Sequence, residues 1–261
     1  MKPLNKILIL VIILLHWSCQ RDQIIPDSYK LDCSKYPVSG DYKFPDQGTN
    51  EGEKSFLNVK GNPDYQIPAN VLDTISTEGL IKTCLNYPFF KSIFLSSSHD
   101  VQGSFEHYME NFNGFITLYK RNDVSFKLLE RYICCEWEEK NHTATLTDWN
   151  KTDKKKYIHY FIEIMLAQDK IIQQLDDQNR KILFTKALDI YETHLQENDK
   201  AFSVFSLLVL GKVMVFDEFQ PFMSEYNKND HIKWFFESGS YCCYNNFSVF
   251  KTIEENARLY N

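Results

Sequence analysis

Turn-forming residues are scarce in this chain. Its 261 residues include nine Gly and eight Pro, most of them before residue 70. An all-β fold needs turn residues at regular spacing, so this scarcity argues against one. No basic block interrupts a chain of net charge −6, which argues against nucleic acid and against polybasic adhesion to lipid headgroups. No C-x-x-C occurs, so a zinc ribbon has no ligands. The H-E-x-x-H, G-x-S-x-G, P-loop and G-x-G-x-x-G patterns are also missing. These absences remove the usual signatures of zinc proteases, serine hydrolases and nucleotide binding. No cofactor, metal site or nucleic-acid partner is expected.

The most specific positive signal is in the first nineteen residues. Lys2 and Lys6 give a short basic start, Ile7 to Leu15 form an apolar run, and Ser18 precedes Cys19. A basic region, a short apolar core and a small residue at the cut describe a secretory signal. The run is shorter than the about 20 apolar residues that span a bilayer. A cysteine directly after the small residue suggests a lipoprotein signal, with Cys19 as the lipidation site and new N-terminus; the alternative is an ordinary cleaved signal with Cys19 an incidental thiol. One acyl chain holds a protein only marginally, whereas a diacylated or triacylated cysteine anchors it stably. The expected location is the cell envelope, as an outer-membrane lipoprotein facing the periplasm, with surface exposure the alternative.

Seven Cys are present. Cys134–Cys135 and Cys242–Cys243 are adjacent pairs. An exported chain can form disulfides, and bridging one pair to the other would staple the N-terminal half to the C-terminal end. The alternative, that these are free buried thiols, also fits, because Cys is among the most buried residue types.

The chain divides by composition. Residues 1–18 read as the signal and 19–67 as a mostly irregular tether. As a free coil, the stretch Gln20–Gln66 would reach roughly 40 Å. Tyr29, Leu31, Cys33, Tyr36, Tyr42 and Phe44 are more apolar than a linker needs, so part of this stretch is expected to pack on the domain. Residues 68–138 read as an N-terminal helical subdomain, 139–151 as a polar loop and 152–261 as a C-terminal helical subdomain. Ser76 or Thr77, Ser98 or Asp100, Asn122 or Asp123, and Asp176 or Asp177 sit where helix N-caps belong. Helices are expected at Glu78–Asn86, Val101–Phe112, Val124–Trp137, from Thr152 or Asp153 to Leu175, and on to about Leu195. "AFSVFSLLVLGKVMVF" is apolar nearly all round, so Lys200–Phe216 should be a central buried helix. Ile162-x-x-Met165-Leu166 recurs as Phe205-x-x-Leu208-Val209, a spacing in the range of HEAT-like repeats. The expected class is all-α, built of antiparallel helical hairpins, with HEAT-like repeats an option in the C-terminal half.

"IPANVLDTISTEGLIKTCLNYPFF" together with "FNGFITLYKRNDVSFKLLERY", within 67–132, resembles a group of exported Bacteroidetes proteins of unassigned function. The resemblance implies an exported helical lipoprotein and carries no catalytic residues with it.

Few residues suggest chemistry. His159 and Glu163 share a helix face, where they could bind a metal or share a proton, but a surface or boundary pair is the plainer reading. Glu139-x-x-His142 is a single copy in an expected loop, and a di-metal site needs two. The abundant aromatics fall at helical spacing and read as core. Exposed Trp137, Trp149, Tyr157 or Trp234 around a pocket would favour a ligand site. The leading expectation is a membrane-anchored, non-catalytic protein-interaction module. A glycan- or ligand-binding lipoprotein is second and an enzyme third. The expected partners are the membrane, through the lipid on Cys19, and a protein.

Overall fold

The computed structural model describes residues 40–44, 65–88, 100–134, 151–196, 203–240 and 246–260, with the backbone alone for 151–158 and 246–247. These residues belong to one compact unit, Cys33–Asn261. Twelve helices and no strand occur among them. The protein is all-α, as its shortage of turn residues implies.

The first five helices are α1 (Ala69–Leu72), α2 (Thr77–Leu85), α3 (Val101–Asn111), α4 (Asn113–Leu118) and α5 (Val124–Ile133). Local chemistry sets two of their starts. Ser76 accepts a hydrogen bond from the Gly79 amide, and Asp100 accepts one from the Gly103 amide, each satisfying an otherwise unpaired first-turn donor. Asp123 occupies the cap position of α5 but caps nothing; its Oδ1 accepts the Thr77 hydroxyl at 2.8 Å instead. A long-range partner has outcompeted the local one. Helix α5 buries Val124, Leu128 and Tyr132, which recur at i, i+4 and i+8 on one face.

Aromatic rings fill the space between these helices. Tyr87 stacks on Phe112 with ring centres 4.1 Å apart, and Phe105 meets Phe115 and Phe161 edge-on. These rings are buried, so they act as core rather than as a ligand platform. The segment 40–44 packs here too. Phe44 lies 5.4 Å from Tyr87 and 5.9 Å from Phe112, ring centre to ring centre, while the Tyr42 amide donates to Thr83.

The remaining helices are α6 (Lys151–Leu166), α7 (Asp169–Gln174), α8 (Asp177–Gln196), α9 (Ser203–Phe216), α10 (Gln220–Lys228), α11 (Asp230–Ser238) and α12 (Asn246–Tyr260). The helix expected to run unbroken to Leu175 divides at Gln168. That residue is extended (φ −71°, ψ 132°), and its side-chain amide donates to the Ile164 carbonyl, closing the last turn of α6. Asp176 receives the Asn179 amide at the start of α8.

Helix α9 is central. It packs on α6, α7, α8, α10, α11 and α12, and Ser203 to Gly211, Val213 and Met214 are buried. An apolar surface all round leaves such a helix no solvent face, so it must be enclosed. Arg180, near the start of α8, pairs with Asp217, just past the end of α9, at 2.7 Å, so these two helices are antiparallel. Helix α6 runs beside α9 in the same direction. Glu163 meets Ser206, and Asp169 beyond the corner meets Lys212; each partner is 43 residues further on. Tyr260 at the end of α12 donates to Asp217, again across 43 residues.

Candidate functional site

Two places hold polar groups that packing alone does not require. The first is inside the core, where α5, α6, α8 and α9 meet. His159 is 1 % exposed and Glu163 is 0 % exposed, so the pair is neither at the surface nor at a boundary. The reason lies in the second half of α6. Tyr160, Phe161, Ile162, Ile164, Met165 and Leu166 are all buried, and a helix covered on every side takes its polar residues into the core with it.

The Glu163 carboxyl is held from both sides. Tyr132 on α5 donates to Oε1 at 2.6 Å and Ser206 on α9 donates to the same oxygen at 2.7 Å. Oε2 accepts no hydrogen bond among the described residues. Burial pushes the carboxyl up to about 7, against the opposing pull of the Ser206 and Tyr132 hydrogen bonds and the Lys186 charge. Loss of water disfavours the charged form of an acid and of a base alike. The neighbouring imidazole of His159 is accordingly pushed down to about 3, by burial first and then by the Lys186 and His194 charges. Its ring centre lies 5.0 Å from that of Tyr132, and the His194 ring on α8 lies 5.8 Å from Tyr160. Among the described residues no group of three or more His, Cys, Asp or Glu is placed to hold a metal ion. The side chains of Tyr132, His159, Glu163, His194 and Ser206 are all buried.

The second place is an open cleft of about 440 Å³. Helix α3 contributes Gln102, Glu106 and Met109, and Tyr119 follows from the end of α4. The corner between α6 and α7 supplies Gln168, Asp169 and Lys170. Lys212 comes from α9, and Phe236 and Glu237 from α11. The volume is within the range of small-molecule sites. Gly211 on α9 shapes one wall: a Cβ there would lie 2.3 Å from Cζ of Phe236, so only glycine lets that ring lie against the helix. The neighbouring Lys212 extends over the Phe236 ring, with Nζ 5.9 Å from its centre and 3.0 Å from Asp169.

The floor of the cleft is polar. Gln102 donates from Nε2 to Oε1 of Gln168 at 3.1 Å. Its own Oε1 accepts no hydrogen bond among the described residues, although the residue is only 5 % exposed.

Most residues singled out from the sequence fall elsewhere. Trp234 is 39 % exposed on α11 but does not line the cleft. Cys19, Trp137, Glu139, His142 and Trp149 lie outside the described residues, as does the side chain of Tyr157. Cys134 is disulfide-bonded. Its partner is outside the described residues, as are Cys135, Cys242 and Cys243. Cys84 is a buried free thiol, raised well above the ordinary range by burial. The cleft itself had one sequence signal: Gly211-Lys212 interrupts the apolar run of α9.

Among the described residues no helix is long and apolar enough to cross a membrane. No protein-family profile, no curated protein and no solved structure matches this chain.

Proposed function

We propose that this protein is a non-catalytic binding module of the cell envelope, anchored by a lipid on Cys19, with a helical domain that engages a protein partner. The observation that carries the reading is the separation of its polar chemistry. The groups able to move protons, Glu163 and His159, are enclosed in the core. The reachable cleft holds lysines, carboxylates, amides and three apolar side chains, which is recognition chemistry without a nucleophile and base pair. The basic, apolar and cysteine pattern ending at Cys19 supports the anchoring. Three contacts that each join residues 43 apart, Glu163–Ser206, Asp169–Lys212 and Asp217–Tyr260, support a HEAT-like stacking of this half of the domain, which suits a binding surface.

The test is metabolic labelling with an alkynyl fatty acid in the native cells, with Cys19→Ala as control, together with a photo-crosslinking residue at Glu106. The expected result is label and membrane association only when Cys19 is present, and a discrete crosslinked protein from the cleft position. An unlabelled chain in the soluble fraction would refute the anchoring. A cleft position that crosslinks to nothing in the envelope would refute the partner.

A further inference from the structure

The Glu163 carboxyl receives both of its hydrogen bonds on one oxygen. Tyr132 and Ser206 donate to Oε1, and Oε2 accepts none among the described residues. That is the pattern of a neutral acid, in which the carbonyl oxygen accepts and the other oxygen carries the proton. If the proton leaves, two uncharged donors do not balance the charge that remains. A buried carboxylate needs a counter-ion.

Each element around Glu163 offers a different group. Tyr132 from α5 and Ser206 from α9 are uncharged. His159, one turn earlier on α6, is buried and held neutral, by burial first and then by the Lys186 and His194 charges. His194 on α8 is as deeply buried. Helix α3 presents Phe105 to Phe161, and Tyr119 at the end of α4 donates to the Met165 carbonyl. The charges of α7 nearest the corner, Asp169 and Lys170, are exposed. Lys186 on α8 remains. Its charge acts on both Glu163 and His159, so it lies near the pair. Its side chain is 22 % exposed, and its ion pair is with Asp189 at 3.7 Å, a carboxylate itself 70 % exposed. An exposed pair of that kind contributes little, so little holds the ammonium where it is.

We propose that Glu163 and Lys186 form a proton-operated latch between α6 and α8. When the buried carboxyl gives its proton to solvent, the Lys186 ammonium leaves Asp189 and turns to the carboxylate. When the proton returns, Lys186 goes back to Asp189. The lysine stem is long and flexible enough to make this exchange without moving either helix. Burial sets the exchange near neutrality, because it pushes the carboxyl up to about 7. Neither residue lines the cleft, so the latch does not depend on what the cleft binds.

The experiment is an NMR titration of the full-length protein, labelled with ¹³C and ¹⁵N, over roughly pH 5 to 9, a range that brackets the Glu163 step. The Glu163 carboxyl carbon and the Lys186 Nζ are assigned by comparison with Glu163→Gln and Lys186→Met. Both signals should move with one shared midpoint. In Glu163→Gln the Lys186 step should vanish. In Lys186→Met, which keeps the apolar stem, the Glu163 midpoint should rise by about one pH unit, the effect of removing one nearby opposite charge. Lys186→Arg keeps the charge and should restore the midpoint. A Lys186 signal that stays flat through the Glu163 step in the native protein overturns the proposal, whatever the variants do. A Glu163 midpoint unmoved by Lys186→Met overturns it as well.

Discussion

The Tyr132 hydroxyl donates to Oε1 of Glu163 across 2.6 Å, at a point where neither side chain is exposed. A buried carboxyl held near pH 7 ties folding to protons. Its ordinary value is 4.5 and its folded value about 7. Between these values the folded chain keeps a proton that the unfolded chain has released. Stability therefore falls as pH rises through this window, by about 1.4 kcal/mol per pH unit. Glu163→Gln removes the dependence. Urea unfolding across the window should show the variant gaining on the native protein as pH rises; a constant difference would sink the assignment.

His159 acts with the opposite sign. Its folded value of about 3 is below its ordinary 6.5, so the unfolded chain takes up a proton first as pH falls. Stability is lost progressively from about pH 6.5 down to about pH 3, again at about 1.4 kcal/mol per unit. Where the two windows overlap the contributions cancel, and the native protein should be nearly indifferent to pH there. His159→Phe should become more stable relative to the native protein on acidification from neutrality, as read by the same urea midpoints.

Gly211→Ala should destabilise the protein by about 1–3 kcal/mol, the usual cost of forcing a group into a packed site. The new methyl would overlap the Phe236 ring, which must shift, and the displaced ring reshapes the cleft wall. A thermal midpoint unchanged from the native protein would show that the ring has room to move.

Glu218→Gly should stabilise the protein. Glu218 follows α9 in the left-handed region at φ 49°, while Phe219 and its own amide close the helix by donating to Met214 and Val215. This is the position where helices usually place glycine. Relief of the left-handed conformation should gain about 0.5–1 kcal/mol, measurable as a higher urea midpoint with an unchanged slope.

Arg180→Lys should cost about 2 kcal/mol despite keeping the charge. The Arg180 guanidinium reaches Asp217, Asp177 and the Leu175 carbonyl at once and lies 4.7 Å from the Phe216 ring centre. An ammonium has neither the planar fork nor the reach for these together. A midpoint within experimental scatter of the native value would show that the network contributes little.

Much of the helical framework was legible in the chain. The apolar run of α9 announced its own burial, and the cap candidates Ser76 or Thr77 and Ser98 or Asp100 announced two helix starts, because these signals are local; which candidate caps is settled by the bonds of Ser76 and Asp100. The division at Gln168 was not legible, since the sequence around it carries neither Gly nor Pro; side-chain bonds to Ile164 and Gln102 hold the corner. Nor was the depth of His159 and Glu163. Three lysines at 154–156 make the start of that helix look solvated, and the donors that satisfy Glu163 are 31 and 43 residues away. The cleft is assembled from segments of the chain that only the fold brings together, so apart from Lys212 its charges carried no pattern in sequence.

The packing of residues 40–44 also decides how the domain meets force. A pull arriving along the chain from its N-terminal side reaches Asp41, Tyr42 and Phe44 before any of the described helices. There it meets the Asp41–Lys82 ion pair, the Tyr42–Thr83 hydrogen bond and the Phe44 ring against Tyr87 and Phe112. These contacts would take the load ahead of the described helices, and residues 40–44 would yield before α9, which six other helices enclose.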